Sequence, residues 1–174
     1  MLAPWSKQYC EEEFPKYWEI VYSILQLFDK NSRVLEIGCG LGDVTAMLCY
    51  LGFKHVTSLE KDEQISRAAQ RRIVDMFGMN GVVRNENYPS NKQYTADILI
   101  LVNCVYADQL KTKREYVDLI QKYYVCAGSP NHFLMEVIDS SYAEKNSEFP
   151  EYIRCRSCSD PRPDIPSVFY CTVL

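Results

Sequence analysis

A glycine-rich segment in the first third of the chain constrains the fold most. Residues 36–42 have the sequence Glu-Ile-Gly-Cys-Gly-Leu-Gly, directly after the apolar pair Val34-Leu35, and a run with helical composition follows from Asp43. An apolar strand that enters a glycine-dense turn and then a helix lets bare backbone approach a ligand, while N–H groups at the helix start point toward it. The sequence therefore predicts a site for a nucleotide-like ligand at this turn.

The spacing of the glycines distinguishes between kinds of nucleotide loop. A dinucleotide-binding fingerprint has the pattern G-x-G-x-x-G, but here the third glycine comes one residue early and Asp43 takes its place. A pyrophosphate would meet the carboxylate of Asp43 at the helix start. The Walker pattern fails too, because no Gly-Lys-Ser or Gly-Lys-Thr follows. The carboxylate of Glu36 favours a ligand with a cationic or hydroxyl-rich end.

At this point the chain resembles the class I S-adenosylmethionine-dependent methyltransferases. The first motif of that family is acidic-x-G-x-G-x-G at the end of the first strand, and residues 36–42 match it at every fixed position. The resemblance implies S-adenosylmethionine as the cofactor. It also implies a Rossmann-like three-layer α/β sandwich with a mostly parallel seven-stranded sheet and an antiparallel last strand.

Apolar periodicity alternates between helical and extended patterns, as expected for βαβ construction. Strands are predicted over residues 33–37, 55–59, 81–84, 97–102, 133–138, 152–158 and 168–173. Helices are predicted over residues 15–28, 43–51, 62–77, 113–125 and 142–148. We expect residues 1–174 to form a single domain, in which the helical segment 1–30 is a candidate lid over the cofactor cleft.

Composition and charge argue against several classes of protein. A hydrophobic content of 47% with 24% charged residues is ordinary for a globular domain. The net charge of −4 argues against duplex nucleic acid as a partner, and we interpret the cluster Arg67, Arg71 and Arg72 as solvated surface. No apolar run approaches the ~20 residues of a membrane span, and no signal-peptide pattern opens the chain. We therefore expect a cytoplasmic protein without a membrane partner.

The cysteines need a separate interpretation. Cys155 and Cys158 form a C-x-x-C pair, which is either a redox pair or half of a zinc site. The two histidines, His55 and His132, stand far from any second close ligand, so no metal is expected. A redox role of the pair stays open. Five cysteines in apolar or motif contexts are interpreted as free thiols: Cys39, Cys49, Cys104, Cys126 and Cys171.

Ligands of open α/β sheets bind beyond the carboxyl ends of the strands, and the resemblance assigns roles to residues there. Glu60 ends the second strand and would accept both ribose hydroxyls. Glu86 would lie near the adenine amino group, although Asn85 or Asn87 serves equally if the alignment shifts by one. Glu36 would reach the ammonium group directly or through water. The expected cofactor contacts are Glu36, Gly38, Cys39, Gly40, Gly42, Glu60, Lys61, Glu86, Asn103 and Cys104.

The acceptor side is predicted less fully. A sulfonium methyl is already activated, so the protein mainly has to align the reactants and exclude water. No general base is evident, and the candidates for acceptor-side catalytic groups are Tyr106, Glu136 and Asp139. Aromatic residues near the N-terminus either form the wall of the acceptor pocket or pack the first helix onto the sheet. The substrate-binding candidates are Trp5, Tyr9, Tyr17 and Tyr106.

These expectations lead to a methyltransferase that uses S-adenosylmethionine and acts on a small-molecule acceptor. The residues after the fourth strand, 103–106, are not Asn-Pro-Pro-Tyr or Asp-Pro-Pro-Tyr, which argues against methylation of a nucleobase amine or a glutamine amide. A homodimer could complete a partly open cleft. Two alternatives stay open: an aminocarboxypropyl-type transferase that uses the same cofactor, and a noncatalytic cofactor-binding or scaffold domain.

Overall fold

The computed structural model describes residues 16–102, 104, 113–138, 156–159 and 167–172. Within this part of the chain, the elements in sequence order are α1 (Lys16–Gln26), β1 (Arg33–Ile37), α2 (Asp43–Tyr50), β2 (His55–Glu60), α3 (Glu63–Phe77), β3 (Val83–Asn85), β4 (Ile98–Leu101), α4 (Lys113–Cys126), β5 (His132–Ile138), β6 (Arg156–Ser159) and β7 (Ser167–Thr172). The predicted helix 142–148 and the residues before Lys16 lie outside the described residues. No helix in the described part of the chain combines the length and the apolar character that a membrane span requires.

A single sheet joins the strands of the described backbone in the spatial order β3-β2-β1-β4-β5-β7-β6. Strands β1 to β5 pair in parallel, and β7 runs antiparallel to both β5 and β6. The predicted Rossmann-like α/β fold with a mostly parallel sheet is confirmed. Strand order reverses beside β1, because β2 and β3 lie on one side of it and β4 lies on the other. The carboxyl ends of β1 and β4 therefore flank the crevice where such sheets bind ligands.

The two faces of the sheet carry separate hydrophobic cores, because successive side chains of a strand point to opposite faces. Val34 of β1 packs in the core that contains residues of α1, α2 and α3. Leu35 and Ile37 pack in the core that contains Ile120 of α4. The four residues of β4 are all buried, as expected for a strand inside a parallel sheet. Helices on both faces produce the three layers.

The ends of the elements follow local chemistry. The Asp62 side chain accepts hydrogen bonds from the N–H groups of Gln64 and Ile65 and so caps α3. Helix α1 ends at Gln26, two residues before the predicted end, where Lys30 Nζ donates to the carbonyl of Gln26 and to two neighbouring carbonyls. Strand β3 begins two residues later than predicted, because Gly81 has a left-handed φ of 73° that a strand does not accommodate.

Candidate functional site

Three glycines shape the loop between β1 and α2. Gly38, Gly40 and Gly42 have φ values of 69°, 55° and 83°, a region that residues with a side chain enter only at a cost. The N–H groups of Gly38 and Cys39 donate to the Leu59 carbonyl at 2.8 and 3.0 Å. These bonds tie the loop to the end of β2, so that the carboxyl ends of β1 and β2 form one surface.

Gly38 also allows a close approach between two segments. A Cβ atom built on Gly38 would lie 2.3 Å from Cβ of Cys104, which is closer than non-bonded carbons approach. Cys104 follows β4, so the loop after β1 and the segment after β4 pack against each other at the switch in strand order. A Cβ on Gly42 would meet Cβ of Ala69 at an ordinary 3.4 Å, so the backbone conformation explains that glycine.

Glu60 connects β2 to the glycine loop. Its side chain is almost buried, with Oε2 accepting from the Gly40 N–H at 3.0 Å and Oε1 accepting from the Asp62 N–H at 3.0 Å. A carboxylate has about four lone-pair positions, so each oxygen keeps capacity for a further donor. The structure therefore holds a carboxylate rigidly at the loop while leaving it able to accept ligand hydroxyls.

Glu36 is buried beneath the loop. Its Oε2 accepts hydrogen bonds from Oγ1 of Thr45 and from Oγ of Ser58, each at 2.6 Å. Burial raises the pKa of Glu36 to about 7, and the two hydroxyl bonds only partly offset this. Within the described part of the chain, hydrogen bonds reach Oε2 alone. The predicted contact of Glu36 with an ammonium group remains a prediction.

Asn85 ends β3 and Glu86 follows it, and the two side chains have different neighbours. The Glu86 carboxylate accepts from Tyr94 Oη at 2.6 Å, from Ser90 Oγ at 3.0 Å and from Lys92 Nζ at 3.2 Å. Burial would raise the pKa of Glu86, but these bonds outweigh it and lower the pKa. The Asn85 amide donates to the Glu60 and Lys61 carbonyls at the end of β2. Of the three candidates for the adenine contact, Glu86 and Asn85 thus already make hydrogen bonds to neighbouring segments. The third candidate, Asn87, is exposed.

An ion pair between α3 and the start of α2, which the sequence did not predict, supports the glycine loop. Arg72 of α3 donates through Nη1 to Asp43 Oδ1 at 2.5 Å and to the Leu41 carbonyl at 3.0 Å, and its side chain is 11% exposed. The interpretation of Arg72 as solvated surface is wrong, whereas Arg67 and Arg71 are exposed as expected. Arg72 lies between the buried Ala69 and Ile73 in sequence, so helical periodicity could have identified its inward position.

Thr45 and Ser58 are also site residues that the sequence analysis missed. Ser58 lies directly opposite Glu36 in the parallel register of β1 and β2, and Thr45 lies in the first turn of α2. Both side chains are buried polar groups. The register of the two strands would have revealed Ser58, but register follows from tertiary pairing and not from the local pattern.

The remaining predicted residues differ in how far the structure describes them. Cys39 is buried, and burial raises the pKa of its thiol well above the ordinary value, so it is a neutral packing group. Lys61 is exposed. The backbones of Tyr17, in α1, and Glu136, in β5, are described, but their side chains are not. Outside the described residues lie Trp5, Tyr9, Asn103, Tyr106, Asp139 and Cys155.

A metal centre was not expected from the sequence. Among the described side chains, no group of three or more His, Cys, Asp or Glu residues is arranged to hold a metal ion. The acidic residues of the site are instead used in hydrogen bonds to backbone and hydroxyl groups. The described site therefore offers hydrogen-bond acceptors to a ligand.

Solved structures with the same fold were found by comparison, although neither a protein-family model nor a curated protein matches the sequence. Magnesium protoporphyrin IX methyltransferase from Synechocystis PCC 6803, with bound S-adenosylmethionine, is 13% identical with a TM-score of 0.69, over 90% of this chain and 77% of that chain. An rRNA methylase from Streptococcus thermophilus is 15% identical with a TM-score of 0.63, over 93% and 97% of the two chains.

A third similar structure is an O-methyltransferase from neocarzinostatin biosynthesis in complex with S-adenosylmethionine and 2-hydroxy-5-methyl naphthoic acid. It is 17% identical with a TM-score of 0.62, over 91% of this chain and 55% of that chain. Identities this low show the fold alone. The chain has the fold of the class I S-adenosylmethionine-dependent methyltransferases.

Proposed function

We propose that this protein is a methyltransferase that binds S-adenosylmethionine at the glycine loop and transfers the methyl group to a small-molecule acceptor. One observation carries the proposal. The loop contains three glycines with left-handed φ values, and the Gly40 N–H of this loop donates a hydrogen bond to the carboxylate of Glu60. Similar structures that contain S-adenosylmethionine support it.

The chemistry of the residues at the loop fits this cofactor. The two oxygens of Glu60 have the capacity to accept the two ribose hydroxyls. Glu36 offers Oε1 to the ammonium group, since its described hydrogen bonds engage only Oε2. Gly38 and Cys104 would lie beside the methionine portion, where they already pack against each other. The remaining expected contacts, Gly42, Cys39, Lys61, Glu86 and Asn103, stay proposals.

The cofactor, when bound, supplies an electrophilic methyl group on a positively charged sulfur. The protein then has to bind the adenosyl end, orient the acceptor and exclude water. The rigid carboxylate of Glu60 and the hydrogen-bonded loop perform the first task. We assign the acceptor side to Tyr106, Glu136, Asp139 and the aromatic residues Trp5, Tyr9 and Tyr17. Within segment 1–30, α1 packs in the core that contains residues of α2 and α3, so we assign the lid to the part of the segment before α1.

The acidic net charge supports a small acceptor over a duplex nucleic acid. We also propose that the protein is cytoplasmic and has no membrane partner. We further propose that it forms a homodimer in which the second subunit completes the cleft. Transfer of the aminocarboxypropyl group would use the same loop as methyl transfer, so only the by-product distinguishes the two reactions. S-adenosylhomocysteine as by-product supports methyl transfer, and methylthioadenosine contradicts it.

Calorimetric titration with S-adenosylmethionine and S-adenosylhomocysteine tests the proposal. We expect both to bind the wild-type protein, and Glu60→Gln to weaken binding by about 10- to 100-fold, because a hydrogen bond to a charged group contributes about 1.5–3 kcal/mol. The control is Glu63→Gln, which neutralises an exposed carboxylate three residues away and should bind like the wild type. Absence of binding at millimolar cofactor would contradict the proposal. Binding without turnover across a panel of acceptors, together with a stable protein partner, would favour a scaffold domain instead.

A further inference from the structure

Two hydroxyl groups converge on one oxygen atom of Glu36 beneath the glycine loop. Oε2 of Glu36 accepts from Oγ1 of Thr45 and from Oγ of Ser58, each at 2.6 Å. Hydroxyl donors lie about 2.5–2.7 Å from an ionised carboxylate and somewhat further from a neutral acceptor. The two hydroxyl oxygens lie 3.0 Å apart, a contact that follows from their convergence on the same atom. The geometry therefore suits the carboxylate anion of Glu36.

Each of the two donors is fixed by a different element of the fold. Thr45 lies in the first turn of α2, and Ser58 lies in β2, directly opposite Glu36 in the register of β1 with β2. Both side chains are fully buried, so water cannot readily replace either hydroxyl group. The docking of α2 and the pairing of the two strands thus bring both donors to one side of the carboxylate.

The other groups around Glu36 oppose its ionisation. Burial is the largest effect that raises its pKa, and the carboxylates of Asp43 in α2 and Glu60 in β2 raise it further. The neighbouring cation is Arg72 of α3, which is paired with Asp43. Among the described residues, the two hydroxyl groups are what lowers the pKa of Glu36. Two nearby thiols carry no charge near neutral pH, because burial raises the pKa of each: Cys39 and Cys49.

We propose that Thr45 and Ser58 are positioning residues, which hold the buried carboxylate of Glu36 as an anion and leave its Oε1 to the ammonium group of the cofactor. The inference rests on the proposed function, because S-adenosylmethionine provides the ammonium group. Among the described residues, the hydrogen bonds to Glu36 engage Oε2 and none reaches Oε1. Two donors on Oε2 also fix the rotation of the carboxylate. Both hydroxyl groups therefore act on the cofactor through Glu36.

Calorimetric titration with two ligands tests the positioning role. Methylthioadenosine has the adenosyl part of S-adenosylmethionine but no ammonium group. At about pH 6, we expect Ser58→Ala and Thr45→Val each to raise the Kd for S-adenosylmethionine about tenfold over the wild-type value, because each removes a hydrogen bond to a charged group. At about pH 8 the ratio should fall to about twofold, because ionisation of Glu36 then needs less help in either protein. The Kd for methylthioadenosine should change by less than about twofold at both pH values.

Matched variants separate positioning from packing. Thr45→Ser keeps the hydroxyl group and should bind S-adenosylmethionine within about threefold of the wild type. Thr57→Val removes a hydroxyl group from the opposite face of β2 and should leave the binding of both ligands unchanged. In a double-mutant cycle, Ser58→Ala should weaken binding by less than about twofold once Glu36→Gln has removed the carboxylate. That result would show that the hydroxyl group acts through the charge of Glu36.

The outcomes distinguish the inference from the proposed function. Equal weakening of both ligands by Ser58→Ala and Thr45→Val would show a structural role and would overturn the inference alone. Wild-type affinity of both variants for S-adenosylmethionine at about pH 6 would overturn it as well. Failure of the wild-type protein to bind S-adenosylmethionine at all would overturn the proposed function, and the inference with it.

Discussion

At the scale of single residues, glycines with similar backbone angles have different roles. Gly38 and Gly52 both have left-handed φ values, of 69° and 84°. A Cβ on Gly38 would overlap Cys104, whereas a Cβ on Gly52 meets nothing within 4 Å. The cost of a side chain at Gly52 is therefore conformational, and at Gly38 it includes the displacement of the segment after β4.

We expect Gly38→Ala to reduce the free energy of unfolding by about 3 kcal/mol, from a strained backbone and an overpacked contact. Gly52→Ala should cost about 1 kcal/mol, because only the backbone term applies. Urea unfolding of both variants measures the difference. Equal destabilisation of the two would show that the contact between Gly38 and Cys104 does not govern the loop.

At the scale of elements, one buried ion pair joins the start of α2 to the middle of α3. Arg72 reaches Asp43 and the Leu41 carbonyl, so α3 holds both the loop and the first turn of the following helix. The atoms Nε and Nη2 of Arg72 are buried without a partner among the described residues. Removal of the arginine leaves the buried carboxylate of Asp43 without this cation, which costs more than the loss of a surface pair.

Arg72→Met should therefore destabilise the protein by about 3 kcal/mol in thermal or urea unfolding. The matched control is Arg71→Met, which changes an exposed neighbour on the same helix and should shift stability by less than about 0.5 kcal/mol. If the two variants unfold alike, the ion pair makes no net contribution to the docking of α2 on α3.

At the scale of the whole molecule, buried and surface carboxylates give stability opposite dependences on pH. The pKa of Glu36 is raised from 4.5 to about 7 by burial, so the folded state binds more protons than the unfolded state between these values. The associated stability is complete below the unfolded pKa and is lost as the pH rises through the folded pKa. Hydrogen bonds from Arg33 lower the pKa of Asp97 to about 2, so its contribution is lost only as the pH falls from 3.8 toward that value.

Wild-type protein without cofactor should lose at most about 3 kcal/mol of unfolding free energy between about pH 5 and about pH 8, and Glu36→Gln should remove most of this slope. Asp97 does not titrate in that range and leaves the comparison undisturbed. Urea unfolding of both proteins at each pH provides the measurement, with Glu63→Gln as an exposed control that keeps the wild-type slope. A wild-type slope of zero would show that Glu36 is ionised throughout.

Sequence reasoning found elements whose signals are local. The β1 strand, the glycine loop and helix α3 were predicted within about two residues, because strand hydrophobicity, glycine conformation and helical apolar periodicity act over a few neighbours. The carboxylate of Glu60 was predicted at the strand end for the same reason. The partners of Ser58 and Arg72 were missed because they lie 22 and 29 residues away in sequence.

The sequence by itself determined the alternation of strands and helices, the left-handed turn after β1 and the acidic residues at the strand ends, since each depends on short-range preferences. Only the tertiary structure decided that Glu36 shares its oxygen with Thr45 and Ser58, that Arg72 pairs with Asp43 and that Glu86 faces Tyr94. Those contacts depend on the register of β1 with β2, on the docking of α2 against α3 and on the path of the β3–β4 connection. Long-range packing sets all three, and it also sets the burial that controls the charge of Glu36.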